Sequence, residues 1–164
     1  MKEINIRESG DNIVKLLADD WGLLAAGDEA GNNGMTVSWG GLGEIWGRDA
    51  VFVFARPQRY TREFLERHDT FSLSFFGGEY KKELALFGGK SGRDMDKFAA
   101  TGLTRAFECG CVYPEQAELV VICRKIAFFD LGPEGYLDET IMQNYPISDF
   151  HRMYVGEIVK TLAK

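Results

Sequence analysis

The sequence predicts a mostly antiparallel β-barrel with short helices packed on it. Short apolar runs, rich in β-branched and aromatic residues, recur along all 164 residues and end in Gly, Pro or Asn turn signals. No regular strand–helix–strand alternation appears, which argues against a doubly wound parallel sheet. The chain also holds 19 Gly beside only 4 Pro, with 12 Phe, 6 Tyr and 3 Trp. That is neither a collagen nor a linker composition, and it implies tight turns or close backbone approaches in a globular chain.

The elements follow in order. Asn12 to Gly27 is apolar with polar punctuation, and Trp21 to Ala26 reads as a strand after a short helical start. Asp28 to Gly34 reads as a turn, with Asn33-Gly34 as its hairpin dipeptide. Met35 to Trp39 alternates as a second strand and runs into Gly40-Gly41-Leu42-Gly43, which ends at Trp46-Gly47. Ala50 to Ala55 is a buried strand that Pro57 stops. Thr61 to His68 places Phe64, Leu65 and His68 on one face of a short helix. Thr70 to Phe76 alternates as a strand; Tyr80 to Phe87 and Met95 to Ala100 read as short helices. Ala117 to Phe129 is a long strand, with Val120, Ile122, Ile126 and Phe128 in one phase and Arg124 unexplained among them. Leu137 to Asn144 reads as a helical excursion, and Met153, Val155 and Val159 mark the last strand, with Glu157 in the same phase. The sum is about six or seven strands in a single domain over residues 1–164.

Charge and composition exclude several classes. The formal net charge is −6, and the balance argues against a nucleic acid or an anionic membrane as partner. No apolar run approaches the ~20 residues of a membrane span. Met1 to Asp11 does not resemble a signal peptide. Three Cys, an odd number without secretory context, argue against a disulfide framework. The expectation is a cytoplasmic chain.

Two phosphate motifs fail on inspection. Gly41-x-Gly43 is followed by Trp46 where a dinucleotide fingerprint needs Gly. Gly89-Lys90-Ser91 has Leu84 where a phosphate loop needs its first Gly. Cys109-x-Cys111 and the lone Cys123 lack zinc spacing, and two isolated His cannot make a metal centre. No nucleophilic triad can be assembled, so no side chain is assigned as catalytic; chemistry supplied by a bound cofactor is the simpler expectation.

Three clusters remain. Arg56-Pro57-Gln58-Arg59-Tyr60-Thr61 joins a buried strand to a helix start, where cations are badly placed against the helix dipole. An external anion at that helix start would explain them, as would internal pairing with Glu63, Glu66 or Asp69. Lys90, Ser91, Gly92, Arg93 and, a turn later, Lys97 put cations and a hydroxyl beside flexible backbone, either an anion site or a solvated loop. Asn32 to Gly41 alternates small polar and apolar residues into glycines, so that Thr36 and Ser38 can face a planar polar ligand walled by Trp39 and Trp46. A barrel strand with a tight corner would look the same.

Together these residues carry a resemblance. Asn33-Gly34-Met35-Thr36-Val37-Ser38-Trp39-Gly40 resembles the Asn-x-Met-Thr-x-x-Trp-Gly signature of the flavin-reductase-like, flavoredoxin-type family. Arg56 to Thr61 is similar to its Arg-Pro-x-Arg-Tyr-Thr element. Ser72 to Phe76, Lys90 to Lys97 and His151 to Ile158 follow in the family's order. The resemblance implies a split β-barrel that binds FMN, as a homodimer with flavin near the subunit interface. It implies that Arg56, Arg59, Tyr60 and Thr61 hold the phosphate. Asn33 belongs to the signature, and Met35, Thr36, Val37, Ser38 and Trp39 line the isoalloxazine and ribityl chain. Ser74 and Phe75 sit across the same pocket, and Lys90, Ser91, Gly92, Arg93 and Lys97 close over flavin or phosphate. The implied activity moves a hydride from NADH or NADPH to flavin and electrons onward to a flavin or protein acceptor. The alternative is an FMN-binding electron carrier without nicotinamide activity; a third reading is a small barrel used as an interaction module.

Overall fold

The computed structural model describes all 164 residues. Its strands are β1 (Lys2–Glu3), β2 (Gly22–Gly27), β3 (Asn32–Val37), β4 (Gly40–Ile45), β5 (Arg48–Ala55), β6 (Thr70–Phe75), β7 (Arg105–Glu108), β8 (Cys111–Pro114), β9 (Leu119–Asp130) and β10 (Arg152–Ala163). The helices are α1 (Ile13–Lys15), which widens into a looser turn over Leu16–Asp20, then α2 (Tyr60–Arg67), α3 (Lys81–Gly89) and α4 (Lys97–Thr101). Every strand pairing is antiparallel. This is the mostly β architecture with short helices that the sequence predicts.

The main sheet runs β3-β2-β6-β9-β10-β5-β4, with β1 added to β10, while β7 and β8 pair only with each other. Its two edges, β3 and β4, are consecutive in the chain, joined by Ser38 and Trp39. Three peptide steps reach at most ~11 Å. The sheet must therefore curl until its edges approach, although no ladder joins them. The result is a barrel split between β3 and β4, with Trp39 at the opening.

The period-2 alternation of strands sorts two cores. Leu24 and Ala26 of β2, Leu73 of β6 and Val121 of β9 point into the barrel with Val51, Val53 and Tyr154. Leu23 and Ala25, Val120 and Ile122 point outward, under Leu84 and Phe87 of α3, Phe98 of α4 and the β7–β8 hairpin. Strand β2 is thus buried on both faces, which is why it reads as a continuous apolar run.

The structure refines several local readings. Asn33-Gly34 is not a turn but lies inside β3; Asp28 makes the turn instead, its carboxylate accepting from the Ala30 and Gly31 N–H groups (2.9 and 3.2 Å). Phe128 does not continue the buried phase of β9: the strand outruns the barrel there, and Phe128 and Phe129 are exposed. Arg124, in the same phase, is explained by its partner Glu157 across the strand pair. Val159 is exposed because the β9–β10 register shifts between Ile158 and Lys160, and a one-residue slip turns every following side chain to the other face. The β7–β8 hairpin was not anticipated; Cys109 and Gly110, both at positive φ (52° and 70°), close it.

Candidate functional site

The site grows from the barrel's split. Strand β5 ends at Ala55, Pro57 cannot extend it, and α2 begins at Tyr60. Arg56, Gln58 and Arg59 are thereby set at the N-terminal end of α2, which no side chain caps. Strand β3 leads to the same place from the other side.

Two cavities meet there. One, of about 170 Å³, is lined by Met35, Thr36, Val37, Ser38 and Trp39, closed by Phe54 and His151, and reached by Arg56 and Arg59. The other, of about 540 Å³, is lined by Gln58, Tyr60, Thr61, Lys97 and the Gly89–Gly92 loop. Met35, Arg56 and Arg59 line both. A narrow, partly apolar slot thus opens directly onto a polar, cationic chamber.

The charges sort into neutralised and free ones. Arg56 is held by Asp149 at 2.6 Å and by the Asn144 carbonyl at 2.9 Å. Gln58 donates to the same Asp149 oxygen at 2.7 Å. Arg62 pairs with Glu66, and Arg93 with Glu63, beside the ring of Tyr60 (4.6 Å). Arg59, Lys90 and Lys97 have no carboxylate within 4.0 Å. Internal pairing therefore accounts for Arg56, Arg62 and Arg93, but not for these three.

Arg59 donates to the Gly88 carbonyl, and the buried Lys97 ammonium to the Phe87 and Lys90 carbonyls at 3.1 and 3.3 Å. These are the unpaired carbonyls at the C-terminal end of α3, worth about half a negative charge. Two cations on half a charge leave an excess of positive charge. Burial and Arg56 push the Arg59 pKa down, and burial and Arg59 push Lys97 down to about 8. The loop adds donors: the backbone N–H groups of Ser91 and Gly92 are bonded to nothing in the chain. Gly92 itself lies so close to Asn33 that a Cβ would meet its Oδ1 at 2.2 Å, so only glycine lets the loop approach.

Other candidates are placed differently. Asn33 is buried and donates to the Thr61 hydroxyl at 2.8 Å, tying β3 to α2; it lines a third hollow on the far side of Gly92. The Thr36 hydroxyl donates to the Leu84 carbonyl, so it is spent on holding α3. Ser74 and Phe75 are fully buried in β6 and line neither cavity, because β6 lies near the middle of the curled sheet. Arg93 also lies outside both cavities, clasping the loop to α2. Trp46 sits on the β4–β5 turn, at the opposite end of β4 from Trp39, roughly 20 Å away by strand rise.

A model of the Flavin reductase like domain matches residues 17–163. The chain belongs to this family. No curated protein is significantly similar to it. Flavoredoxin from Methanosarcina acetivorans superposes with a TM-score of 0.68 at 19% identity, over 100% of this chain and 76% of that one. The FMN-binding protein from Thermus thermophilus with bound p-hydroxybenzaldehyde gives 0.70 at 20% identity, over 100% and 82%. The Streptomyces globisporus C-1027 NADH:FAD oxidoreductase SgcE6 gives 0.68 at 14% identity, over 88% and 75%. At these identities the likeness is one of fold.

In this flavin reductase like domain, two residues of the slot, Phe54 and His151, fall outside the flavin contacts that the resemblance implies. Phe54 belongs to the outward phase of β5, whose partners Val51, Val53 and Ala55 are buried. His151 immediately precedes β10 and lies tilted beside Trp39, with ring centres 5.3 Å apart. Burial and Arg56 bring its pKa down to about 4, against the opposing pull of Asp149. Asp149 and Tyr145 act behind Arg56 and His151, from a segment with no motif of its own.

Proposed function

We propose that this chain binds FMN, and that a hydride passes from NADH or NADPH to the flavin and electrons go onward to a second flavin or a protein acceptor. One observation carries the reading: three cations without carboxylates and two free backbone N–H groups surround a chamber that opens into a slot flanked by Trp39. That pairing suits a planar ring with a phosphorylated tail. When bound, flavin supplies the hydride and electron chemistry.

The residues then have distinct work. Arg59 and Lys97 neutralise the phosphate, and Ser91 and Gly92 donate to it through their backbone. Thr61 and Tyr60 shape the floor at the start of α2, whose unpaired N–H groups favour an anion. Met35 to Val37 offer backbone and side-chain surface to the ring and ribityl chain. Trp39 shields the mouth from water, and Arg56, fixed by Asp149, spans ring and phosphate ends. Lys90, exposed on the loop that lines the chamber, closes over the tail. The reading places the protein in the cytoplasm, as a homodimer that covers the exposed Trp39, with no nucleic acid or membrane as partner.

The visible spectrum of the purified protein, with FMN added and then with NADH or NADPH, tests this. Flavin absorbance that bleaches with either nucleotide supports the proposal; no binding and no thermal shift with FMN defeats it. The missing dinucleotide fingerprint after Gly41 favours a second reading, an electron carrier. Bleaching only in the presence of a separate reductase, in stopped-flow traces, would select it.

A further inference from the structure

Between β9 and β10 the chain leaves the sheet at Leu131, whose N–H donates to the His151 carbonyl at 3.0 Å, and returns at Arg152. This excursion grips the slot from behind. Tyr145 is buried, stacked on Tyr136 (5.8 Å between ring centres) and tilted against Phe150 (4.9 Å), with the Arg56 guanidinium 5.1 Å above its ring. Its hydroxyl lies 2.8 Å from Nδ1 of His151, its one hydrogen-bond partner in the chain.

Hydrogen-bond accounting decides where the imidazole proton sits. Were the proton on Nδ1, it would donate to the tyrosine oxygen, and the tyrosine O–H would be left with the nearby Tyr136 hydroxyl, which forms no hydrogen bond in this geometry. With Nδ1 bare, the Tyr145 O–H donates to it and both groups are satisfied. The proton then rests on Nε2. That nitrogen has no partner in the chain, and it belongs to a side chain that lines the slot between Trp39 and Phe54.

We infer that Tyr145 is a positioning residue: it fixes His151 as the neutral Nε2–H tautomer, whose N–H donates to an acceptor oxygen or nitrogen of the planar ring in the slot. The identity of that ring rests on the FMN reading; the tautomer does not. The surroundings agree. Burial, Arg56 and Arg59 oppose a charge on His151, with only Asp149 favouring one, and burial lifts the Tyr145 hydroxyl to about 12.

Imidazole ¹⁵N shifts of the ligand-free protein give the direct test. The expected pattern is protonated Nε2 and bare Nδ1, becoming a tautomer mixture in Tyr145→Phe. A wild type protonated on Nδ1, or a Tyr145→Phe variant with the wild-type pattern, overturns the inference. Riboflavin and inorganic phosphate supply the second arm. His151→Leu should weaken riboflavin about fivefold, the size of one hydrogen bond, while His151→Gln, which keeps an N–H, stays within about twofold. Phosphate binding should not move in either variant. Equal losses in the two variants, or a matching loss of phosphate binding, reduce His151 to a packing role and sink the idea. A wild type that binds neither riboflavin nor FMN defeats the function proposal and the ring contact together. A wild type that binds riboflavin but protonates Nδ1 defeats this inference alone.

Discussion

Arg59 and Lys97 carry the sharpest expectations at the level of single residues. Arg59 spends part of its fork on the Gly88 carbonyl and faces both cavities. Charge-assisted phosphate contacts are worth ~1.5–3 kcal/mol. Arg59→Ala should therefore weaken FMN by roughly 10- to 100-fold, and riboflavin by no more than about threefold. Equal losses in fluorescence titrations would place Arg59 away from the phosphate. Lys97 adds a pH signature. Its folded pKa, about 8, lies below the usual 10.5, so the unfolded chain binds the proton more tightly. This group's contribution to stability thus rises as pH climbs from about 8 to 10.5, and its burial cost is felt in full below about 8. A bound phosphate reverses the preference and keeps the ammonium charged. FMN binding above pH 8 should take up a proton, and affinity should fall as pH rises further. Calorimetry in two buffers of different ionisation enthalpy measures the uptake, and Lys97→Met should abolish it.

Elements matter because the site residues sit on the ends of α2, α3 and β3 rather than inside them. Helix α2 has its C-terminal carbonyls covered by Lys125, which reaches from β9 to donate to Leu65 and, at 3.1 Å, to His68. A cation there stabilises the last turn by ~1 kcal/mol. Lys125→Met should lower the melting temperature by about 2–4 °C and loosen FMN through α2, with riboflavin again less affected. A fully retained melting temperature would show that β9 does not anchor the helix. On β10, Gly156 lies against the core at the register shift. A Cβ there would meet Phe71 Cζ at 2.4 Å and Cys123 Cβ at 2.7 Å. Gly156→Ala should cost about 2–3 kcal/mol, read by denaturant melts, whatever the state of the ligand site.

Across the whole molecule, the open split is the notable feature. Trp39 at its mouth is 46% exposed, and Phe128 and Phe129 project from the overhang of β9 at 52% and 47%. The proposed homodimer would cover these aromatic groups. Light scattering should report twice the mass of one chain, and Phe128→Ser with Phe129→Ser should shift it toward one. A monomeric wild type over micromolar concentrations would remove the homodimer from the proposal. No helix is long and apolar enough to cross a membrane.

The residue order alone determined the antiparallel class, most strand and helix positions, and the two cationic stretches around Arg56 and Lys90. These are local properties: alternation, turn chemistry and the punctuation of Pro57 and Gly77 are written in neighbouring residues. The motif order from Asn33 to Ile158 carried the family as well. Only the tertiary structure decided which candidates meet. Whether Asn33-Gly34 turns or pairs depended on Asp28 making the turn first. Whether Ser74 faces a ligand or the core depended on β6 lying deep in the sheet, where no local pattern could place it. Arg56 and Arg59 look alike in sequence, yet Asp149, far along the chain, neutralises one and leaves the other. Charge balance at a site is a long-range sum, and the curl that brings β3, α2 and the start of β10 together is what performs it.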